Sequence, residues 1–102
     1  MSSSKEIVES AIEKSPIVIF SKSWCPYCRR AKALLKEKFA DVEQTIFELD
    51  ERADGDEIQA YLLTKTKQRT VPNIFVQQQH IGGCDDTTAA VASGKVAGLL
   101  KA

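Results

Sequence analysis

Two cysteines separated by two residues, Cys25 and Cys28, are the part of the sequence best equipped for chemistry. They lie in "SKSWCPYCRR", where an apolar run gives way to a basic, helix-like segment. The spacing suits a metal-binding pair, a structural disulfide, or two thiols that exchange electrons with a substrate. The third cysteine, Cys84, and the only histidine, His80, could complete a Cys₃His zinc set, so the metal alternative has to be weighed.

The redox interpretation is favoured over the other two. A zinc set would have to bridge about fifty residues between Cys28 and His80, with a predicted strand, helix and strand between them. A disulfide that closes so short a loop would restrain little chain entropy. A Cys-x-x-Cys pair beside a strand–helix–strand pattern is typical of proteins that exchange thiols and disulfides.

Pro26 predicts the geometry around the first thiol. Proline suits the first position of a helix, where its fixed φ is helical and its missing N–H is not needed. Cys25 is then expected at the helix cap, with its sulfur beside the free N–H groups of the first turn, which favour thiolate. Lys22 could add a nearby cation. Cys25 is therefore predicted to be reactive and at least partly exposed.

Cys28 is expected to play a different part. It lies three residues later, on the same side of the helix and about one turn deeper, where nothing comparable stabilises a thiolate. Its natural role is to attack a mixed disulfide on Cys25 and expel the reduced substrate. The two thiols thus divide into a nucleophile and a resolving group.

The elements that position these thiols follow from hydrophobic periodicity and turn residues. Residues 17–20 are β-branched and aromatic, which suits a strand covered on both faces. Helices are predicted over 4–14, 29–40, 53–66 and from 85 onwards with a break near 93–94, and strands over 17–20, 45–50, 74–77 and 80–81. A parallel pair and a later antiparallel hairpin follow, so the predicted fold class is α/β, a small mixed four-stranded sheet with helices on both faces.

Composition limits the classes of function. The chain has 102 residues, with 14 basic and 14 acidic side chains that cancel, and we expect one domain over 1–102. A balanced charge gives no support to nucleic acid or an anionic membrane as partner. No early apolar run resembles a secretory signal, and an odd cysteine count fits poorly with a secreted disulfide framework, so we expect a cytoplasmic protein.

Three stretches together resemble the dithiol glutaredoxins of the thioredoxin fold: "WCPYC", "TVPNIFV" and "IGGCDD". The similarity runs from the first predicted helix to the last. It implies a small enzyme that uses glutathione to reduce protein disulfides and glutathionylated proteins, with Cys25 forming the mixed disulfide and Cys28 resolving it. Disulfide-containing and glutathionylated proteins are then the expected macromolecular partners of a monomer.

The resemblance also implies a binding site for glutathione, which carries two carboxylates, an ammonium group and a thiol. Tyr27 would flank the reacting sulfur, and Lys22, Gln59 and Arg69 would face the glycine carboxylate. Thr70, Val71 and Pro72 would form a loop opposite that sulfur. Members of the family place a cis proline there, which turns the backbone of the preceding residue toward the tripeptide, so the Val71–Pro72 bond is predicted to be cis.

A second anion site is implied at "GGCDD". Gly83 and the backbone of Cys84 would approach the γ-glutamyl carboxylate at a helix start, and Asp85, with Asp86, would answer the ammonium group. Aspartate is also a preferred helix cap, so capping is an equal alternative for one of the pair. The Cys84 thiol is expected to be a bystander or a target of oxidation, and His80 is assigned to the surface of its strand.

Two residues depart from the family pattern, and two other functions remain open. Lys67 stands where glycine is expected in "GQRTVP", and Trp24 is also common in thioredoxins. A thioredoxin would be regenerated by its reductase instead of by glutathione. Some similar glutaredoxins hold a [2Fe–2S] cluster between subunits, but Pro26 disfavours this, so no resident metal is expected. A colourless protein after anaerobic reconstitution would end the cluster alternative.

Overall fold

A four-stranded mixed sheet organises the chain in the computed structural model, which describes residues 3–101. The strands are β1 Ile17–Ser21, β2 Gln44–Glu48, β3 Asn73–Val76 and β4 Gln79–Gly82. They lie in the order β2-β1-β3-β4; β1 is parallel to β2, and the two pairs that include β3 are antiparallel. The predicted mixed sheet, with its parallel pair and its later hairpin, is confirmed.

Helices cover both faces of this sheet: α1 Ser4–Lys14, α2 Pro26–Lys38, α3 Gly55–Thr66, α4 Cys84–Ala92 and α5 Lys95–Lys101. On one face, Ile17 and Ile19 of β1 pack against α2, α4 and α5. On the other, Val18 and Phe20 pack against α1 and α3. Every residue of β1 is buried, as its continuous apolar run predicts. No helix within 3–101 is both long and apolar enough to cross a bilayer.

Some predicted boundaries need correction. β2 ends at Glu48 instead of residue 50, because Leu49–Glu51 forms a single 3₁₀ turn that carries Leu49 into the core, where it is 4% exposed. A Cβ on Gly55 would lie 1.8 Å from the Leu49 carbonyl oxygen, so the tight approach of α3 to this turn requires glycine. β3 begins one residue early, at Asn73. The break in the last helical segment, at 93–94, is confirmed.

Lys67 ends α3 in the left-handed conformation, with φ 66° and ψ 6°. Glycine is the usual residue at such a helix end because a side chain there costs conformational energy. The turn therefore keeps the left-handed conformation that glycine would favour, and Lys67 carries the conformational cost of adopting it. Gln77 and Gln78, with φ 46° and 68°, occupy the two positions of the β3–β4 turn that also favour glycine or asparagine.

Candidate active site

The first cysteine lies where α2 begins. Pro26 is the first helical residue, and Cys25 is the N-terminal cap, with φ −83° and ψ 120°. Its N–H donates to the Lys22 carbonyl at 3.1 Å, and its own carbonyl accepts from the Arg29 N–H at 3.0 Å. No side chain caps α2, so the free N–H groups of its first turn are available to the Cys25 sulfur. The predicted position of Cys25 at the helix start is confirmed.

The electrostatics of this position favour thiolate. Burial raises the pKa of Cys25, but the opposing effects outweigh it, so the pKa lies below the ordinary value of a thiol. Hydrogen bonds from the Cys28 backbone, the Cys28 side chain and the Tyr27 backbone stabilise the negative sulfur, and the Arg29 guanidinium adds an attractive charge. Two of these four contributions come from backbone N–H groups of the helix start, as expected for a cysteine at a helix cap.

Arg29 is a cation whose charge favours the Cys25 thiolate, and the predicted contribution of Lys22 stays a prediction. The Lys22 ammonium lies over the Trp24 ring, 5.7 Å from its centroid. Its charge also helps to lower the pKa of Asp50, although the hydrogen bonds from Ser23 are the larger cause. The Arg29 guanidinium is held by the Trp24 carbonyl at 3.2 Å. Sequence reasoning missed Arg29 because either of two neighbouring arginines could have faced the sulfur.

The predicted partial exposure of Cys25 is wrong in degree, since only 7% of its surface is accessible. The loop before β3 covers it: the Val71 carbonyl oxygen lies 3.9 Å from Sγ. Tyr27 and Trp24, by contrast, are 55% and 60% exposed.

Cys28 is the opposite kind of thiol. It is fully buried, and burial is the main reason that its pKa is raised to about 11. Donation to the Cys25 sulfur and the charge of that thiolate raise it further, while a backbone contact at Lys22 and the Ser21 hydroxyl act in the other direction. The nucleophile and the resolving thiol expected from the sequence thus differ in ionisation as well as in depth.

Asp50 fixes the loop that leads into α2. Its carboxylate accepts a hydrogen bond from the Ser23 N–H at 2.9 Å and another from the Ser23 hydroxyl. These bonds lower the pKa of Asp50. The aspartate reaches the loop because β2 ends early and turns, which sequence periodicity did not predict. Asp50 is therefore a positioning residue that only the tertiary structure reveals.

A groove of about 480 Å³ lies beside the thiols. It is lined by Tyr27, Gln68, Thr70, Val71, Pro72, Gly83, Cys84, Asp85 and Asp86. All of these except Gln68 belong to the predicted site, so the structure brings eight of its thirteen residues to one concavity. Val71 lines the groove and also lies next to Cys25, and Cys28 is one helical turn further along α2. The Val71–Pro72 peptide bond is cis, as predicted.

Gln68 is the groove residue that sequence reasoning missed. Its amide donates to the Thr70 carbonyl and to the Pro72 carbonyl, both at 2.9 Å, and so braces the loop from inside. Its backbone N–H donates to the Thr66 hydroxyl at 3.1 Å. The only sequence feature that could have indicated this role was its place in the "KQRTVP" run, since a single glutamine is typical of solvated surface positions.

The remaining predicted site residues do not line the groove. The Lys22 ammonium lies over the Trp24 ring. Gln59 of α3 donates to the Arg69 carbonyl at 2.9 Å, so these two are held together next to Thr70. Their predicted contact with a glycine carboxylate remains a prediction, and it requires a ligand that extends past the groove.

The "GGCDD" segment starts a helix one residue earlier than predicted. Gly83 is the cap of α4, and Asp85 and Asp86 lie in its first turn without capping it, so the capping alternative is wrong. The Asp86 carboxylate folds back over Gly82, whose Cβ would lie 2.4 Å from the carboxylate oxygen. Gly82 also has φ +124°, which favours glycine. Both carboxylates thus remain at the groove.

The residues of the zinc alternative are not assembled. His80 is on the surface of β4, as predicted, and its Nε2 pairs with the Asn73 amide oxygen at 2.7 Å. Cys25, Cys28 and Cys84 are free thiols. Within residues 3–101, no three His, Cys, Asp or Glu side chains are arranged to hold a metal ion.

The site thus combines a thiolate at a helix cap, a buried second thiol one turn later and a proline loop across from both. This combination defines a thiol–disulfide oxidoreductase with the thioredoxin architecture. The glutaredoxin family model matches residues 17–81. Glutaredoxin-1 of Rhizophagus irregularis is 52% identical over 102 residues, which cover 100% of this chain and 99% of that protein. Rice glutaredoxin-C8 is 51% identical over 98 residues, covering 96% of this chain and 72% of its own.

Solved structures agree with the sequence comparisons. The crystal structure of a buckwheat glutaredoxin–glutathione complex superposes with a TM-score of 0.88 at 40% identity, covering 96% of this chain and 87% of that one. The chain belongs to the glutaredoxin family and is an oxidoreductase of that family. The family, fold class and enzyme class predicted from the sequence are confirmed.

Proposed function

We propose that this glutaredoxin uses glutathione to reduce disulfide-containing and glutathionylated proteins, with Cys25 as nucleophile and Cys28 as resolving thiol. The observation that carries the proposal is the opposite shift of two thiol pKa values within one helical turn, lowered at Cys25 and raised to about 11 at Cys28. The buckwheat relative in complex with glutathione supports the choice of reductant.

Reduction of a glutathionylated protein needs only the first thiol. The Cys25 thiolate attacks the glutathione sulfur, an S–S bond forms between them, and the protein leaves as a thiolate that takes a proton from water. A second glutathione thiolate then attacks the same glutathione sulfur. Cys25 leaves as a thiolate, and glutathione disulfide departs. A low pKa makes Cys25 a good leaving group in this second step.

Reduction of a protein disulfide uses both thiols. Cys25 attacks one sulfur of the substrate, and the substrate's other sulfur leaves as a thiolate. Cys28 then attacks Cys25 Sγ, so that a Cys25–Cys28 bond forms, the mixed disulfide breaks and the reduced substrate departs. Two glutathione molecules reduce the internal disulfide and leave as glutathione disulfide, which balances the electrons.

The groove suits the tripeptide through separated charges. The start of α4 offers free N–H groups to the γ-glutamyl carboxylate, beside Gly83 and Cys84, and Asp85 and Asp86 answer its ammonium group. The Val71 backbone lies next to the reacting sulfur and outside the strand pairing of β3, which leaves it available to the tripeptide backbone. At the other end, Lys22, Gln59 and Arg69 would receive the glycine carboxylate.

Protein substrates would dock on the exposed aromatic rings that flank the thiol. Trp24 and Tyr27 are 60% and 55% exposed, and each is accompanied by a cation: Lys22 over Trp24 and Arg30 over Tyr27. Apolar faces with adjacent positive charge suit varied protein surfaces better than one rigid partner.

We also propose that the protein is a cytoplasmic monomer, in keeping with an enzyme that draws on reduced glutathione. Sedimentation of the reduced protein and imaging of a tagged full-length gene product test these two points.

The decisive experiment compares three proteins on a glutathionylated peptide and on a protein disulfide, with glutathione as the only reductant. Cys25→Ser is expected to lose both activities. Cys28→Ser is expected to keep the first and to lose most of the second, because only protein-disulfide reduction requires resolution by the enzyme. Turnover by Cys25→Ser would refute the mechanism, and equal loss of both activities in Cys28→Ser would refute the division of roles.

A further inference from the structure

A buried polar side chain follows directly after the proline loop, residues 67–72. Asn73, the first residue of β3, is 1% exposed and comes after the cis Pro72. Its amide nitrogen donates to the Thr66 hydroxyl at 3.2 Å, and its amide oxygen pairs with His80 Nε2 at 2.7 Å. Both ends of this buried amide are satisfied, and either end would be costly to leave unpaired.

The Thr66 hydroxyl connects this amide to the proline loop. It donates to the Leu62 carbonyl at 2.8 Å, and it also accepts from the Gln68 N–H at 3.1 Å. The Gln68 side chain in turn donates to the Thr70 and Pro72 carbonyls, the two bonds that hold the loop. A continuous series of hydrogen bonds, called the His80 chain below, thus runs from β4 to the groove through four residues: His80, Asn73, Thr66 and Gln68.

The chemistry of the donors and acceptors fixes the direction of the His80 chain. A hydroxyl has one proton and two acceptor positions, and the Thr66 proton goes to the Leu62 carbonyl. Thr66 therefore accepts from Asn73, so the Asn73 nitrogen faces Thr66 and the Asn73 oxygen faces the imidazole. Since an amide oxygen only accepts, His80 Nε2 has to carry a proton. A neutral imidazole at this position is therefore the Nε2–H tautomer.

Two neighbours hold the His80 ring, and only one of them forms a hydrogen bond with it. The ring lies 5.1 Å from the ring of Phe75, its aligned partner across the β3–β4 pair. Phe75 belongs to the core between the sheet and the helices α1 and α3, so this contact packs the hairpin against the core. Packing alone would be served equally well by another aromatic ring. It leaves the bond to Asn73 unexplained.

We propose that His80 is a positioning residue of the active site and that the His80 chain holds the proline loop in the conformation that binds glutathione. The Val71 carbonyl, 3.9 Å from Cys25 Sγ, belongs to this loop, which also supplies two further residues of the groove. Without the imidazole donor, the buried Asn73 oxygen loses this partner, and the loop gains freedom that a bound tripeptide has to remove again. His80 acts through the loop and not on the sulfur, so it changes the retention of glutathione and leaves the Cys25 thiol unchanged.

The test measures how strongly the groove retains glutathione on Cys25. In a Cys28→Ser, Cys84→Ser background, the protein is equilibrated with glutathione and glutathione disulfide. The Cys25 thiol takes one half of the disulfide as a mixed disulfide, and the other half leaves as glutathione. The same equilibrium with hydroxyethyl disulfide and its thiol, which lack the peptide, reports the Cys25 thiol alone. The ratio of the two equilibrium constants is the preference of the groove for glutathione.

Four variants of this background separate the hydrogen bond from packing and from general stability. His80→Phe keeps a ring against Phe75 without the donor, and it is expected to lower the preference about three- to tenfold, as for one lost hydrogen bond. His80→Gln keeps an N–H donor and should recover most of this loss. Gln79→Ala changes an exposed neighbour on β4 and should match the parent. Val8→Ala, a buried position on α1, should lower stability and leave the preference unchanged.

Nitrogen chemical shifts of the imidazole, measured in the parent at a pH where the ring is neutral, should show the Nε2–H tautomer. The Nδ1–H tautomer would overturn the inference, and so would an unchanged preference in His80→Phe or an equal loss in His80→Gln. An equal loss in Val8→Ala would show that general stability determines the preference. The inference rests on the proposed function only in taking the groove as the glutathione site. A parent protein without any preference for glutathione would refute that function instead.

Discussion

Removal of the Cys28 side chain should make Cys25 a weaker acid. In the reduced enzyme, the Cys28 thiol is one of three groups that donate to the Cys25 sulfur, together with the backbone N–H groups of Tyr27 and Cys28. Cys28→Ala removes this donor and leaves both N–H groups in place. Cys28→Ser keeps a donor, since a hydroxyl occupies nearly the same position. The two variants therefore separate the side-chain effect from that of the helix start.

The size of the change follows from the strength of one hydrogen bond to an ion. Such bonds contribute about 1.5–3 kcal/mol, and sulfur partners lie at the weak end of this range. At 1.36 kcal/mol per pKa unit, the loss of one bond raises the Cys25 pKa by about one unit. At pH values below the pKa, the thiolate fraction then falls about tenfold. For Cys28→Ser we expect less than about half a unit.

The assay is a pH titration of thiolate absorbance in the ultraviolet, checked by the pH dependence of alkylation at Cys25. Both variants are measured in a Cys84→Ser background so that Cys25 is the only thiol. Equal pKa values in the two variants and the parent would show that the backbone alone ionises Cys25. A larger shift in Cys28→Ser than in Cys28→Ala would show that bulk at this position, and not hydrogen bonding, determines the ionisation.

Three further perturbations test other parts of the structure. Lys67→Gly should raise the free energy of unfolding by about 0.5–1 kcal/mol, because glycine adopts positive φ at little cost. Urea denaturation measures this change, with Lys67→Ala as the control, and an equal increase in the alanine variant would contradict this explanation. Glu9→Gln should lower the Tyr61 pKa from about 12 toward its ordinary value of 10, since the carboxylate that accepts from the phenol is lost. The pKa of Glu9 is lowered in the folded protein, so ionised Glu9 contributes up to about 1 kcal/mol to the free energy of unfolding above the ordinary glutamate pKa. This contribution disappears as the pH falls. A difference in stability between Glu9→Gln and the parent that persists in acid would contradict this explanation. Gln68→Ala should raise KM for a glutathionylated peptide about fivefold without a change in the Cys25 pKa, because the two hydrogen bonds that hold the proline loop are lost, at a cost of about 1 kcal/mol. An unchanged KM would show that the loop keeps its conformation without Gln68.

Local rules predicted the part of the site that is built locally. Proline at the first helical position sufficed to place Cys25 at a cap and to give the direction of its pKa, because the donors belong to the next three residues. The order of helices and strands was equally accessible, since it depends on short apolar periods. The position of the proline loop came from resemblance alone, because no local rule brings Val71 across the sheet to the thiol.

What could not be predicted depends on contacts distant in sequence. Asp50 reaches Ser23 only because β2 ends in a tight turn, and the burial of Cys25 depends on the covering Val71 carbonyl. Gln68 acts through two backbone carbonyls that a sequence pattern does not identify. These contacts are made by polar residues in ordinary surface-type segments, where periodicity carries no information about partners.

The two thiols are set by different parts of the fold, which has a consequence for design. Cys25 depends on the start of α2 and should keep its acidity in any protein that preserves this turn. Cys28 depends on what lies around it: burial raises its pKa to about 11, and the Ser21 hydroxyl acts in the other direction. Ser21→Ala should therefore raise the pKa of Cys28 further and slow the reduction of protein disulfides, while leaving the reduction of glutathionylated proteins intact. A Ser21→Ala enzyme that lost both activities in the same proportion would show that the two thiols are coupled through the sheet after all.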